Sequence, residues 1–224
     1  MNRTVIIYIV SAVVAVTFHE AAHGYAANHF GDPTAKNAGR LTLNPIAHID
    51  PFGTVLMPII LAISGLPIFG YAKPVPVSVN RLRKPRNHSV LVSLAGPGVN
   101  ILFAALSVVV CRLTGVHFHT LGNGGYISGP SAFTLEVAQY AAGFGLVNVM
   151  LAVFNLLPIP PLDGSAVVER LVPQRHLAQY FSLRQRALPF LLVLLLLNGF
   201  YFHLGSGLQS NLLDAFERLA FGTN

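Results

Sequence analysis

Residues 4–29 read TVIIYIVSAVVAVTFHEAAHGYAANH. From Val5 to Val16 only Ser11 is polar, and small or apolar residues extend the run through Ala21-Ala22 and Ala26-Ala27. Read as one helix, the stretch is long enough to cross a hydrocarbon core, which takes about 20 residues. Three ionisable residues fall within five positions of it: His19, Glu20 and His23. Charge is costly inside a bilayer, so such residues mark function before they mark packing. Arg3 ahead of an apolar run also fits a signal peptide, but the embedded histidines and glutamate favour a retained span.

The spacing His-Glu-x-x-His carries its own chemistry. Residues four apart on a helix lie one turn apart on one face, so both imidazoles reach a single metal ion. Glu20 stands beside the first ligand as a general base, and zinc lowers the pKa of a bound water to about 7. One zinc per chain is therefore expected. Catalytic zinc usually takes three protein ligands. His29 has the spacing of the longer three-histidine motif, but Ala26 stands where that motif turns back on a glycine. On an unbroken helix His29 would lie about 15 Å along the axis from His19, so it reads as a polar residue at the membrane edge.

Asp163 is the better third ligand. It follows an apolar run in Asn155-Leu-Leu-Pro-Ile-Pro-Pro-Leu-Asp-Gly164, where Pro158, Pro160 and Pro161 stop a helix. Irregular backbone at membrane depth is tolerated only where it is buried in protein or lines a watery cavity. The plainer alternative is a helix stop with Asp163 in the following turn.

The rest of the chain agrees with a membrane setting. Its 224 residues are 53% hydrophobic and only 10% charged, with mean hydropathy +0.61. A soluble domain carries about 25% charged residues. The expected fold class is an all-α polytopic membrane protein. Net charge is +6, but the basic residues sit in short loops beside apolar runs. There they act as orientation signals and lipid-headgroup contacts, with no nucleic-acid partner implied. The one cysteine, Cys111, lies in an apolar run and forms no intrachain disulfide.

Full spans are expected over 4–28, 88–114, 132–158 and 187–204. The apolar segment 52–63, interrupted by Pro58, is too short for a crossing and reads as re-entrant or as a hairpin. Over 208–221, Leu212, Leu213, Phe216, Leu219 and Ala220 share a helical face, as in an amphipathic helix at the interface. Loop charge sets the orientation. Lys36, Arg40, Lys73, Arg81, Arg83, Lys84 and Arg86 flank segment 52–63, and Arg170, Arg175, Arg184 and Arg186 follow 132–158. The loop 115–131 has no Lys, Arg, Asp or Glu. The positive-inside rule then puts 29–87 and the third basic loop in the cytoplasm and both termini outside. His19 to His23 fall about 22–28 Å down the first span, on the side where the 132–158 span delivers Asp163. The two halves of the site meet only if segment 52–63 does not cross.

A membrane-embedded His-Glu-x-x-His followed by Asn-x-x-Pro-x-x-Pro-Leu-Asp-Gly resembles the site-2 protease family of intramembrane zinc metalloproteases. Gly39-Arg-Leu-Thr-Leu-Asn44-Pro-Ile-Ala-His48-Ile-Asp50-Pro-Phe-Gly-Thr54, Ala72-Lys-Pro-Val-Pro-Val77 and Ala95-Gly-Pro-Gly-Val-Asn100 resemble compact bacterial members. The resemblance implies one membrane-embedded protease domain over 1–224, with His19, His23 and Asp163 as ligands and Glu20 as base. It also implies transmembrane protein substrates, a bacterial or archaeal cell membrane, and a cytoplasm-facing active site. No stretch is long and polar enough for a PDZ or CBS domain, so regulation of that kind needs a separate membrane protein. Family members place β-structure and a re-entrant element over 39–80. Edge strands at Arg40–Leu43 and Val75–Val79 could pair with an unwound substrate.

Other polar residues have weaker assignments. Asn155 is linked by the resemblance to substrate engagement, and its amide could donate to a tetrahedral oxyanion; capping a helix break is the alternative. Asn100 either packs helices or lines the cavity. Asp50, with His48 near it, could orient a ligand histidine or form a turn. A zinc transporter using the same ligands is the rival function, although it would need ionisable residues on several spans.

Overall fold

The computed structural model describes residues 3–64, 71–121, 124–182, 184 and 206–222. In chain order, α1 (Arg3–His29) is followed by α2 (Thr34–Asn37), by α3 (Met57–Ile63) behind a π-helical turn over Pro51–Leu56, and by α4 (Pro85–Leu113). A hairpin of β1 (His117–Leu121) and β2 (Gly124–Ser128) precedes α5 (Ala132–Leu156), α6 (Ser165–Leu171) and α7 (Ser206–Phe221). Three of these, α1, α4 and α5, are long and apolar enough to cross a membrane. Their exposed Ile9, Val10, Leu102, Leu106 and Phe133 suit a lipid surface better than water. The fourth expected span, 187–204, lies outside the described residues.

The described chain divides into two compact units. The first comprises 1–15, 100–152 and 205–224, the second 16–99 and 153–204. By these ranges α1 and α5 both run from the first unit into the second, and α4 runs back. Everything between α1 and α4, segment 51–63 included, belongs to the second unit.

In the first unit, Phe216, Ala220 and Phe221 of α7 are buried against Cys111, Val116 and Ala138. Part of the apolar face of this helix thus packs on protein, while Leu219 stays exposed. Arg112 donates to the carbonyls of Arg218 and Leu219 at 3.2 and 2.6 Å, placing a cation on the negative end of the α7 dipole. Deeper in the same unit, Asn100 donates to Asn148 Oδ1 at 2.7 Å, and Asn148 donates to the Phe144 carbonyl at 2.8 Å.

The second unit corrects the β-structure expected over 39–80. The described residues there contain no strand, and the two-stranded antiparallel sheet is the hairpin, with His117 opposite Ser128 and Leu121 opposite Gly124. Alternating Val75, Val77 and Val79 imitate a strand in sequence, but Pro74 and Pro76 have no N–H to give a ladder. Residues 71–78 instead form an extended strap held by scattered partners. The Tyr71 N–H donates to the Gly53 carbonyl at 3.1 Å, and Lys73 N–H to that of His48 at 3.0 Å. Arg40 donates to the Lys73 carbonyl at 2.8 Å, and Ser78 N–H to the Asp32 carboxylate.

Candidate metal centre and active site

α1 presents His19 and His23 one turn apart, both buried. The turn between α5 and α6 brings in Asp163. His19 Nε2 lies 3.1 Å from His23 Nε2, and Asp163 Oδ2 stands 3.1 and 3.4 Å from the two. One ligand atom from each residue falls within 4.8 Å of the others, the only such histidine, cysteine and carboxylate cluster among the described residues.

Local structure explains the convergence. The His23 Nδ1 donates to the Val92 carbonyl at 2.7 Å, which leaves Nε2 as the lone-pair nitrogen facing Asp163. The Asp163 turn is closed by Gly164 N–H donating to the Asn155 carbonyl at 2.7 Å and Ala166 N–H to the Asp163 carbonyl at 3.0 Å. Gly164 has to be glycine, because a Cβ would collide with the Leu156 carbonyl. On α4, a Cβ at Gly96 would stand 2.5 Å from His23 Nε2 and 2.6 Å from His19 Nε2. Gly96 therefore keeps open the space onto which the imidazoles aim. Pro97 beside it removes the helix partner of the Ser93 carbonyl, and Ser93 lines the same cavity.

These features fit a small divalent cation. The Asp163 carboxylate faces both imidazoles. Its Oδ2 is buried and has no hydrogen-bond partner in good geometry. A buried carboxylate oxygen left so, beside two imidazole nitrogens and a glycine-made space, is the donor set of a tetrahedral zinc site with one position open.

The cavity measures about 360 Å³ and is lined by Glu20, Val75, Val92, Asn155 and Glu169 besides the three convergent residues. Glu20 Oε2 accepts from the Val75 N–H at 2.8 Å. Asn155 reaches the cavity wall, whereas Asn100 is fully buried among helices of the first unit and serves packing there. Neither His48 nor Asp50 meets the ligand imidazoles. His48 bonds the Thr42 carbonyl at 2.9 Å, and Asp50 accepts from Phe52 and Gly53 N–H at 3.0 and 2.7 Å, capping the next turn. The orienting partner expected of Asp50 is the Val92 carbonyl, a backbone group without a sequence signature. Asp32 was not singled out from the sequence, and Val75 and Gly96 stood in quoted stretches without these contacts. For Asp32 the turn signal Gly31-Asp32-Pro33-Thr34 was available.

Comparison with known proteins adds the following. The family model described as peptidase family M50 matches residues 124–198. The "Putative zinc metalloprotease YwhC" of Bacillus subtilis is 42% identical over 165 residues, covering 74% of this chain and 68% of that protein. The "Putative zinc metalloprotease Rip2" of Mycobacterium tuberculosis is 34% identical over 197 residues, covering 85% and 68%. That of Mycolicibacterium smegmatis is 30% identical over 165 residues, covering 73% and 56%. No solved structure matches.

Proposed function

The chain belongs to peptidase family M50 and is a zinc metalloprotease, and from that premise we propose that it hydrolyses a peptide bond in or beside a transmembrane helix of membrane-protein substrates. The observation that carries this is the convergence of His19, His23 and Asp163 at one end of a helix able to span a bilayer. Family membership sets the transporter reading aside.

In this reading His19, His23 and Asp163 hold one zinc ion. When bound, zinc supplies Lewis-acid chemistry, polarising a peptide carbonyl and acidifying water. Glu20 removes a proton from the attacking water as its oxygen adds to the carbonyl carbon. The same carboxyl returns that proton to the amide nitrogen as the C–N bond breaks. Asn155, on the cavity wall, donates its amide to the substrate backbone or to the developing oxyanion. The cavity must admit water, since hydrolysis consumes it.

The basic loops support a cytoplasmic position for the site, with 115–131 on the outer face. On this reading 51–63 is re-entrant, and residues 1–224 act as one protease domain in a bacterial or archaeal cell membrane. A separate membrane protein would supply any regulation.

The test uses the full chain in detergent, with zinc counted per chain and cleavage of a membrane-spanning reporter followed. Wild type should hold about one zinc. Glu20→Gln should hold the same and cut nothing, and Asp163→Ala should lose most of its zinc. Full zinc in Asp163→Ala removes that ligand, and cleavage by Glu20→Gln removes the base.

A further inference from the structure

A general base works only if its carboxylate is held in place, and glutamate reaches the site on a flexible stem. In this cavity the group found to hold it is not a side chain. The strap 71–78 runs past α1, and the Val75 N–H donates to Glu20 Oε2 at 2.8 Å. Pro74 and Pro76 flank Val75 and have no N–H, so it carries the one donor of that tripeptide.

Three further features place this donor. Gly24 lies one turn beyond Glu20 on the same face of α1, where a Cβ would stand 3.0 Å from Val75 Cγ1. A larger residue there would push the strap away from the helix. Past the end of α1, the buried Asp32 accepts from the Ser78 N–H and from both the N–H and hydroxyl of Thr34. On the other side of Val75, Lys73 is tied to His48 and Arg40. The strap is thus clamped on both sides of the one amide that meets the base.

We propose that Val75 is a positioning residue for hydrolysis: its backbone N–H fixes Glu20 Oε2 and leaves Oε1 to face water, while Gly24 and the Asp32–Ser78 contact set the strap's distance and register. This rests on Glu20 being the base, as argued above. It adds that residues 71–78 belong to the machinery whether or not substrate ever pairs with them.

Val75→Pro deletes the donor in a backbone already extended between prolines, and Val75→Ala keeps it while losing the side chain. With zinc at the wild-type level, Val75→Pro should lower kcat about tenfold, the scale of a lost hydrogen bond to a charged group, at unchanged KM. Val75→Ala should recover most of that loss. Equal kcat in the two variants overturns the proposal. So does a kcat above wild type, which would make the contact a latch that withdraws Glu20. Should Val75→Pro not fold, amide hydrogen exchange on the metal-free full chain decides. Glu20→Ala should raise uptake in the peptide covering 71–79 by about one amide, and unchanged uptake overturns the contact. Exchange reads the contact without substrate or metal, whereas cleavage by Glu20→Gln would remove Glu20 as the base and leave the contact itself standing.

Discussion

Two buried polar clusters sit in otherwise apolar helices, and they are built on opposite plans. In the first unit, Asn100 and Asn148 are both fully buried and spend their amide donors on each other and on the backbone. In the second unit, His19, His23 and Asp163 are brought together with lone pairs facing one another and glycine keeping the space between them open. Saturation marks the first as packing. Convergence on a space kept open by glycine makes the second a candidate metal site, because a buried carboxylate oxygen such as Asp163 Oδ2 is costly unless something completes it. Burial and polarity alone would have ranked the two alike.

The largest expected effect tests that distinction at its sharpest point. Gly96→Val adds only carbon, on a helix that supplies no ligand, and fills the space between the histidines. It should abolish zinc binding and cleavage together while the helical circular dichroism stays at the wild-type level. Full zinc content in Gly96→Val would mean that the ion sits elsewhere.

A smaller effect is expected in the other cluster. Asn148→Leu removes the acceptor 2.7 Å from the Asn100 amide, leaving it the longer 3.5 Å contact to the Ala15 carbonyl, and should destabilise the protein by about 1–3 kcal/mol on the scale for a lost buried hydrogen bond, or nearer 0.6 kcal/mol if membrane proteins set the scale. The Asn100→Leu/Asn148→Leu double variant should regain part of that loss, since removing both partners leaves nothing stranded. Zinc content should not move in either. Unfolding in a graded denaturing detergent measures the stability, and zinc loss in Asn148→Leu would break the contrast between the clusters.

The sequence carried the binding cluster further than the packing one. Periodicity and ionisable residues in an apolar run sufficed for His19, Glu20 and His23, and three prolines before Leu-Asp-Gly pointed to Asp163. Spans 4–28, 88–114 and 132–158 agree with α1, α4 and α5 to within about three residues at each end. What sequence missed were relations set by crossing chains. Gly96 stood in a quoted motif, but its task depends on how closely α4 approaches α1. Val75 acts through its backbone, which no side-chain pattern encodes. The β-structure was placed over 39–80 by family resemblance, and Pro74 and Pro76 leave the described residues there without the N–H groups a ladder needs. Meanwhile His117-Phe-His-Thr-Leu121 before Gly122-Asn123-Gly124 offered a hairpin signal.

Asp32 sharpens the comparison from a third side, because it is buried like the asparagines and charged like the ligands. Burial alone would raise its pKa, but the Thr34 hydroxyl, the Ser78 and Thr34 N–H groups and nearby Arg81 outweigh that and hold it below its ordinary value of 3.8. A carboxyl whose pKa is lower folded than unfolded stabilises the fold fully above the unfolded value, and that contribution fades as pH falls through the folded one. If Asp32 belongs with the saturated class, acid should loosen the strap before it affects the helices. Hydrogen exchange in 71–79 should therefore rise as pH drops from about 5 through 3.8 and below, after correction for the intrinsic rate. Asn in place of Asp32 cannot titrate, so Asp32→Asn should start with a looser strap and lose this acid limb. An acid limb unchanged in Asp32→Asn would assign the response to another carboxyl and leave Asp32 a plain turn residue.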